Sequence, residues 1–192
     1  MRRLRSLRVL VALGAVLASL LTTGPAFAAQ GTFRDVADDA PARVDLRWVR
    51  VVHGSESLKL AVHLDDYRGN RNGGLDNVTV YLDTDRARIG PEFMVRVRGF
   101  QYYFLRMRQW RTLRSPYRSS PYTSGCGGLR FRYDFDRDRV SFTVPRVSRC
   151  LGRPQDVRVS VVASHQRRTA GSGYVEDYAP AERQFYNWVH QS

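Results

Sequence analysis

Three carboxylates stand where one alternating apolar run ends and the next begins: Asp83 and Asp85 flank Thr84, and Glu92 follows seven residues after Asp85. Ca²⁺ takes about six to eight oxygen ligands, and carboxylates on a tight turn after a strand supply several of them at once. The set is a candidate Ca²⁺ site, with Asp35, Asp38 and Asp39 as further oxygens if the fold brings them near. The same spacing also suits turn chemistry, in which Asp83 and Asp85 accept hydrogen bonds from the turn's own N–H groups and Arg86 or Arg88 neutralises them. Both readings stay open at this level.

A second set mixes cations with rings. Arg96 and Arg98 lie in one predicted strand and Arg106 and Arg108 in the next, with Tyr102, Phe104 and Trp110 interleaved. If these strands pair, the pattern predicts a basic aromatic face able to stack on sugar rings or bases while holding anionic groups. Arginines packed over aromatics also make an ordinary protective sheet surface. Catalytic patterns are missing: His53, His63, His165 and His190 are scattered, and no H-E-x-x-H, G-x-S-x-G or P-loop occurs. Asp65 and Asp66 are adjacent, which on a strand sends them to opposite faces. The expected protein is therefore non-catalytic; the alternative is a secreted hydrolase whose Ser, His and Asp meet only in the fold.

The elements that position these groups read as strands. Val44, Leu46 and Trp48 alternate with Asp45 and Arg47, and Val49, Val51 and Val52 continue the run through a bulge. After the turn His53 to Ser57, the residues Leu58, Leu60, Val62 and Leu64 repeat the alternation, with Lys59, Ala61, His63 and Asp65 opposite. Val78 to Leu82, Phe93 to Val97, Tyr102 to Trp110 and Asp156 to Ala163 follow the same period of two. Leu129 to Phe135 and Arg139 to Val144 form a hairpin turning through Asp136-Arg137-Asp138. The only candidate for a helix is a short turn at Glu182 to His190. The expectation is an all-β antiparallel sandwich of about eight strands.

Continuing the hairpin register outward brings residue 126 close to residue 148, so Cys126 and Cys150 sit near its open end. They are the only two cysteines, and an even count in an exported chain reads as a disulfide. Export is the reading of the first 28 residues. Met1 to Arg8 carries four arginines and no acid, Val9 to Leu21 is uncharged and apolar, and Gly24-Pro25 precedes Ala26-Phe27-Ala28. That order is a signal peptide cleaved after Ala28, and its apolar run falls short of the roughly 20 residues a membrane span needs. The organisation expected is a signal peptide at 1–28, a polar lead-in at 29–42 and one domain at 43–192, secreted and with no membrane span after cleavage.

The formal charge of +13 falls by the four leader arginines to +9. A strongly basic exported chain suits an extracellular glycan or polyanion rather than nucleic acid. Lys59 is the only lysine, however, so part of the arginine excess is a matter of composition.

Val44-Asp45-Leu46-Arg47-Trp48-Val49-Arg50-Val51, a glycine turn, a second strand and then Val78-Thr79-Val80-Tyr81-Leu82-Asp83-Thr84-Asp85 resemble secreted sandwich domains grouped with family 9 carbohydrate-binding modules and DOMON-like domains. Gly90-Pro91-Glu92-Phe93, Cys150-Leu151-Gly152-Arg153-Pro154 and Trp188 resemble small exported proteins of actinobacteria. The resemblance covers most of residues 35–190 and implies a β-sandwich. Family 9 modules bind sugars between exposed aromatic rings; no aromatic pair here is matched to theirs residue by residue.

Overall fold

The computed structural model describes residues 29–67, 75–99, 101–107, 110, 126–166 and 173–191. The expected signal peptide at 1–28 therefore lies outside the described residues, as does Arg108. Among the described residues eleven strands form two antiparallel sheets: β1 Ala29–Arg34, β2 Leu46–His53, β3 Ser57–Leu64, β4 Leu75–Asp83, β5 Phe93–Arg98, β6 Gln101–Arg106, β7 Arg130–Asp134, β8 Arg139–Pro145, β9 Asp156–Gln166, β10 Tyr174–Ala179 and β11 Val189–His190. The first sheet runs β1-β2-β3-β8-β7 and the second β10-β9-β4-β5-β6, with β11 added to β9. Among the described residues no helix is long and apolar enough to cross a membrane.

Alternation explains why the sheets face each other. Val49, Val51, Leu58, Leu60, Val62, Val140, Phe142 and Val144 from the first sheet meet Val78, Val80, Leu82, Val95, Val97, Val157, Val159 and Val161 from the second in one buried cluster. A period of two sends every second side chain inward, so β-branched runs of this kind build a sandwich core. The outer side of the second sheet carries its own smaller apolar cluster of Tyr81, Met94, Leu105, Met107 and Val162, against which Trp110 and Phe185 pack.

The eight expected strands are present; the three others are β1, β10 and β11. The polar lead-in supplies β1, an edge strand whose backbone pairs with β2 and whose Phe33 packs on the core and stacks on Tyr186 at 4.6 Å. Its one large apolar side chain left little periodic signal to read. Val189 and His190, placed in the candidate helical turn, instead pair as β11 with Val157 and Asp156.

Cys126 and Cys150 are bonded, with Cα atoms 4.7 Å apart, at the open end of the β7–β8 hairpin. Fixing two residues 24 apart in sequence removes roughly 3 kcal/mol of unfolded-chain entropy. Nearby, the buried Arg146 donates to the carbonyls of Gly54 (2.7 Å) and Pro154 (2.6 Å) and to Gln191 Oε1 (2.6 Å). One guanidinium thus ties the β2–β3 turn, the approach to β9 and the C-terminal strand to the end of β8.

Candidate functional site

The first sheet turns a basic face to solvent. In an antiparallel ladder, residues directly opposite share a face, and the register aligns Arg34, Trp48, His63, Arg139 and Asp134 in one row across all five strands. The next row is Thr32, Arg50, Ala61, Ser141 and Arg132, and the third is Gln30, Val52, Lys59, Thr143 and Arg130. Arg34, Arg50, Lys59, Arg130 and Arg132 are all exposed. Asp134 is the one acid in these rows and is engaged by Arg139 at 2.6 Å.

At the β1 end of this face the Trp48 indole stacks on the His63 ring, centroids 4.9 Å apart. Burial holds His63 below the usual imidazole range, so the stack is neutral at pH 7. Thr32, Arg34, Asp35, Arg47, Trp48 and Arg50 line a groove of about 590 Å³, a volume in the range of small-ligand sites. Trp48 reaches the outer face because the β2–β3 register shifts between Leu46 and Trp48. That bulge corrects the expectation that Val44, Leu46 and Trp48 share one face: Leu46 is fully buried, and beyond the bulge Val49 takes the inward position. The signal was present as a change of phase, with apolar residues at even numbers before the bulge and odd numbers after it.

The predicted face on β5 and β6 is divided between two sides. Arg98 pairs with Gln101 across a two-residue connection, so Arg96 lies opposite Tyr103, while Tyr102 lies opposite Val97, Phe104 opposite Val95 and Arg106 opposite Phe93. Even positions on β5 thus share a face with odd positions on β6. Phe104 is 2% exposed and stacks on Phe93 in the core. Tyr102 packs against Phe131 at 4.8 Å, and Arg106 lies over the Phe93 ring and donates to the Ser148 carbonyl. Arg96 is buried on the other side, where Arg98 donates to Gln166 Oε1. Trp110 meets Tyr81 edge-on at 5.1 Å and Phe185 at 4.8 Å, within the apolar cluster on the outer side of the second sheet.

Asp83, Asp85 and Glu92 each serve a different partner. Asp83 is fully buried; its Oδ2 accepts from Arg158 Nη2 (2.6 Å) and Nε (2.8 Å), and its Oδ1 from the Asp85 N–H. Asp85 Oδ1 accepts from the Ala87 N–H and its Oδ2 faces Arg88 at 3.4 Å. Glu92 Oε2 accepts from the Thr84 N–H at 2.7 Å. This is the turn chemistry, with Arg158 as the main counter-charge. Arg158 then lies under Phe185 (4.8 Å) and Trp188 (4.6 Å), so the cluster anchors the chain that leads into β11.

Among the described residues, the three metal-ligating side chains whose oxygens lie within 4.8 Å of one another are instead Asp39, Asp45 and Asp177. Asp45 and Asp177 are buried. Asp35 and Asp38 also turn toward this group rather than toward Asp83: the Asp38 N–H donates to Asp45 Oδ2, and burial, then the charge of Asp177, pushes the Asp35 carboxyl up to about 7.

One further pair joins a histidine to a buried carboxylate. Asp76 Oδ1 lies 2.6 Å from His165 Nδ1, and Arg43 grips the same carboxylate. The neighbouring Ser164 faces away, with its hydroxyl paired to Asn77 Nδ2. The fold and the basic aromatic face together define an antiparallel β-sandwich with an open, cationic sheet surface. No model of a known protein family matches the chain, and no curated protein matches it.

Proposed function

We propose that this protein is an exported, non-catalytic β-sandwich that binds an anionic extracellular or cell-wall glycan, or a similar polyanion, on the outer face of its first sheet. The observation that carries this reading is the set of five exposed cations on the face that bears the Trp48–His63 stack, two of which, Arg34 and Arg50, line its groove. An indole face packs against the apolar face of a sugar ring, and guanidinium groups hold carboxylate, sulfate or phosphate in paired hydrogen bonds. The leader-like first 28 residues and the disulfide suit an oxidising, extracellular setting. The resemblance to family 9 modules agrees with sugar binding, here with Trp48 as the stacking ring.

Retention on heparin and on an array of uronic-acid, sulfated and teichoic-acid polymers at about 0.15 M salt tests the reading. The expected result is retention that weakens as salt rises and is lost in Trp48→Ala combined with Arg50→Glu. No retention on any of these ligands would discard it.

A second reading, a hydrolase assembled by the fold, rests on the His165–Asp76 pair, which has the form of a base held by its orienting carboxylate. Turnover of chromogenic ester or glycoside substrates that His165→Ala abolishes would place this reading first.

A further inference from the structure

The carboxylates where the two sheets meet at the β1–β2 connection carry more negative charge than their surroundings neutralise. Asp35 follows β1, Asp39 and Asp45 lie on the connection to β2, and Asp177 comes from β10 in the other sheet. Asp177 already bridges the sheets: its Oδ2 accepts the Leu46 N–H at 2.6 Å, while its Oδ1 accepts the Tyr178 N–H. Among the described residues Arg47 is the one cation paired with the group, 3.5 Å from Asp45 Oδ2, and it is shared with Asp65 (2.7 Å) and Asp38 (3.0 Å). Among the described residues no arginine or lysine pairs with Asp35, Asp39 or Asp177.

A second observation points to a ligand. Asp45 is 0% exposed, yet its Oδ1 has no hydrogen-bond partner. The buried Oδ2 of Asp35 is likewise without one. A carboxylate oxygen removed from water and left unpaired costs several kcal/mol unless something positive meets it. Asp45 Oδ2 and both oxygens of Asp177 accept N–H bonds, but each retains a second lone pair.

We propose that Asp39, Asp45 and Asp177 bind a Ca²⁺ ion that clasps the two sheets together, with Asp35 beside them as a further oxygen donor. Ca²⁺–oxygen distances of about 2.3–2.6 Å place ligands on opposite sides of the ion at most roughly 5 Å apart. A set of oxygens within 4.8 Å of one another matches that span. The ion supplies the positive charge that Asp45 Oδ1 lacks and joins residues more than 130 positions apart in the chain, so it stabilises the closed sandwich. Asp35 also lines the Trp48 groove, which places the ion next to the proposed glycan surface. Mg²⁺, which demands a tighter octahedral shell and gives up water reluctantly, binds this site more weakly.

Thermal melting of the purified protein in excess EDTA and in millimolar Ca²⁺, with calorimetric titration of Ca²⁺ alone, tests the clasp. An ion that binds only the folded state raises the melting temperature, here by about 5 °C at a hundred-fold excess over its Kd. Asp45→Asn abolishes that rise. Asp39→Asn, at the exposed ligand, weakens Ca²⁺ affinity at least tenfold while leaving the EDTA melting temperature within about 2 °C, which separates lost binding from lost folding. Asp85→Asn leaves the rise intact. Identical melts in EDTA and Ca²⁺ with a flat titration overturn the proposal, as does a Ca²⁺ response that survives both Asp39→Asn and Asp45→Asn.

Discussion

The outer surfaces of the two sheets use similar residue types to opposite ends. On the second sheet Tyr81, Met94 and Leu105 are almost wholly buried beneath Trp110 and Phe185, and even Arg96 is only 6% exposed. On the first sheet the half-buried rings of Trp48 and His63 stack among cations that face water. Arginine and aromatic residues in alternating strands thus do not define a binding face by themselves. What decides is whether another segment covers them. On the second sheet Trp110 and Phe185 do so, with Phe185 resting on Arg158, which the buried Asp83 holds.

The largest effect is expected at that anchor. Arg158→Leu leaves the Asp83 carboxylate buried without its counter-charge and should cost about 4 kcal/mol in denaturant unfolding. Asp83→Asn in the same chain should recover a large part of the loss; equal destabilisation by the single and double variants would show that the pair is not what holds this segment. Next, Leu105→Ala on the covered face should cost roughly 3 kcal/mol, whereas Arg132→Ala on the open face should change stability by no more than about 0.5 kcal/mol. Similar costs at both positions would erase the contrast between the sheets.

Arg34→Glu with Arg50→Glu should weaken polyanion binding by at least about tenfold and flatten its salt dependence, with an unchanged melting temperature. Loss of binding from charge reversal at Arg98 instead would move the surface to the second sheet. The smallest effect separates the inside of the first sheet from its outside. His53, from the same hairpin as His63, is fully buried; its Nδ1 donates to the Val189 carbonyl at 3.2 Å, and burial holds its pKa below the ordinary value. The folded state then binds fewer protons than the unfolded state near pH 6, so this contribution is present above about pH 6.5 and declines as pH falls toward the folded pKa. His53→Gln should flatten the slope of stability between about pH 7 and 5. An unchanged slope would assign the acid sensitivity elsewhere.

Much of the architecture was legible from local pattern. Runs such as Leu58 to Leu64 and Val78 to Leu82 have the period of a half-buried strand, and the hairpin through Asp136 to Asp138 brought Cys126 toward Cys150 from register alone. Turn chemistry at Asp83 and Asp85 was also readable, because an Asp carboxylate two residues before a free N–H needs no distant partner. β1 and β11 were not, since an edge strand with one large apolar residue is held by backbone pairing that has no side-chain signature.

The faces were harder. Tyr102 and Phe104 fell on the core side because a two-residue connection inverts parity between β5 and β6, and Trp48 fell outside because one bulge residue resets the phase of β2. A single-residue shift moves every following side chain through the sheet. The sequence by itself determined eight of the strands, the antiparallel all-β class and the disulfide, because these follow from alternation and short-range register. Only the tertiary structure decided which arginines and rings meet solvent, and that Asp177 joins Asp39 and Asp45, because covering segments and cross-sheet contacts depend on chain separations that no local spacing encodes.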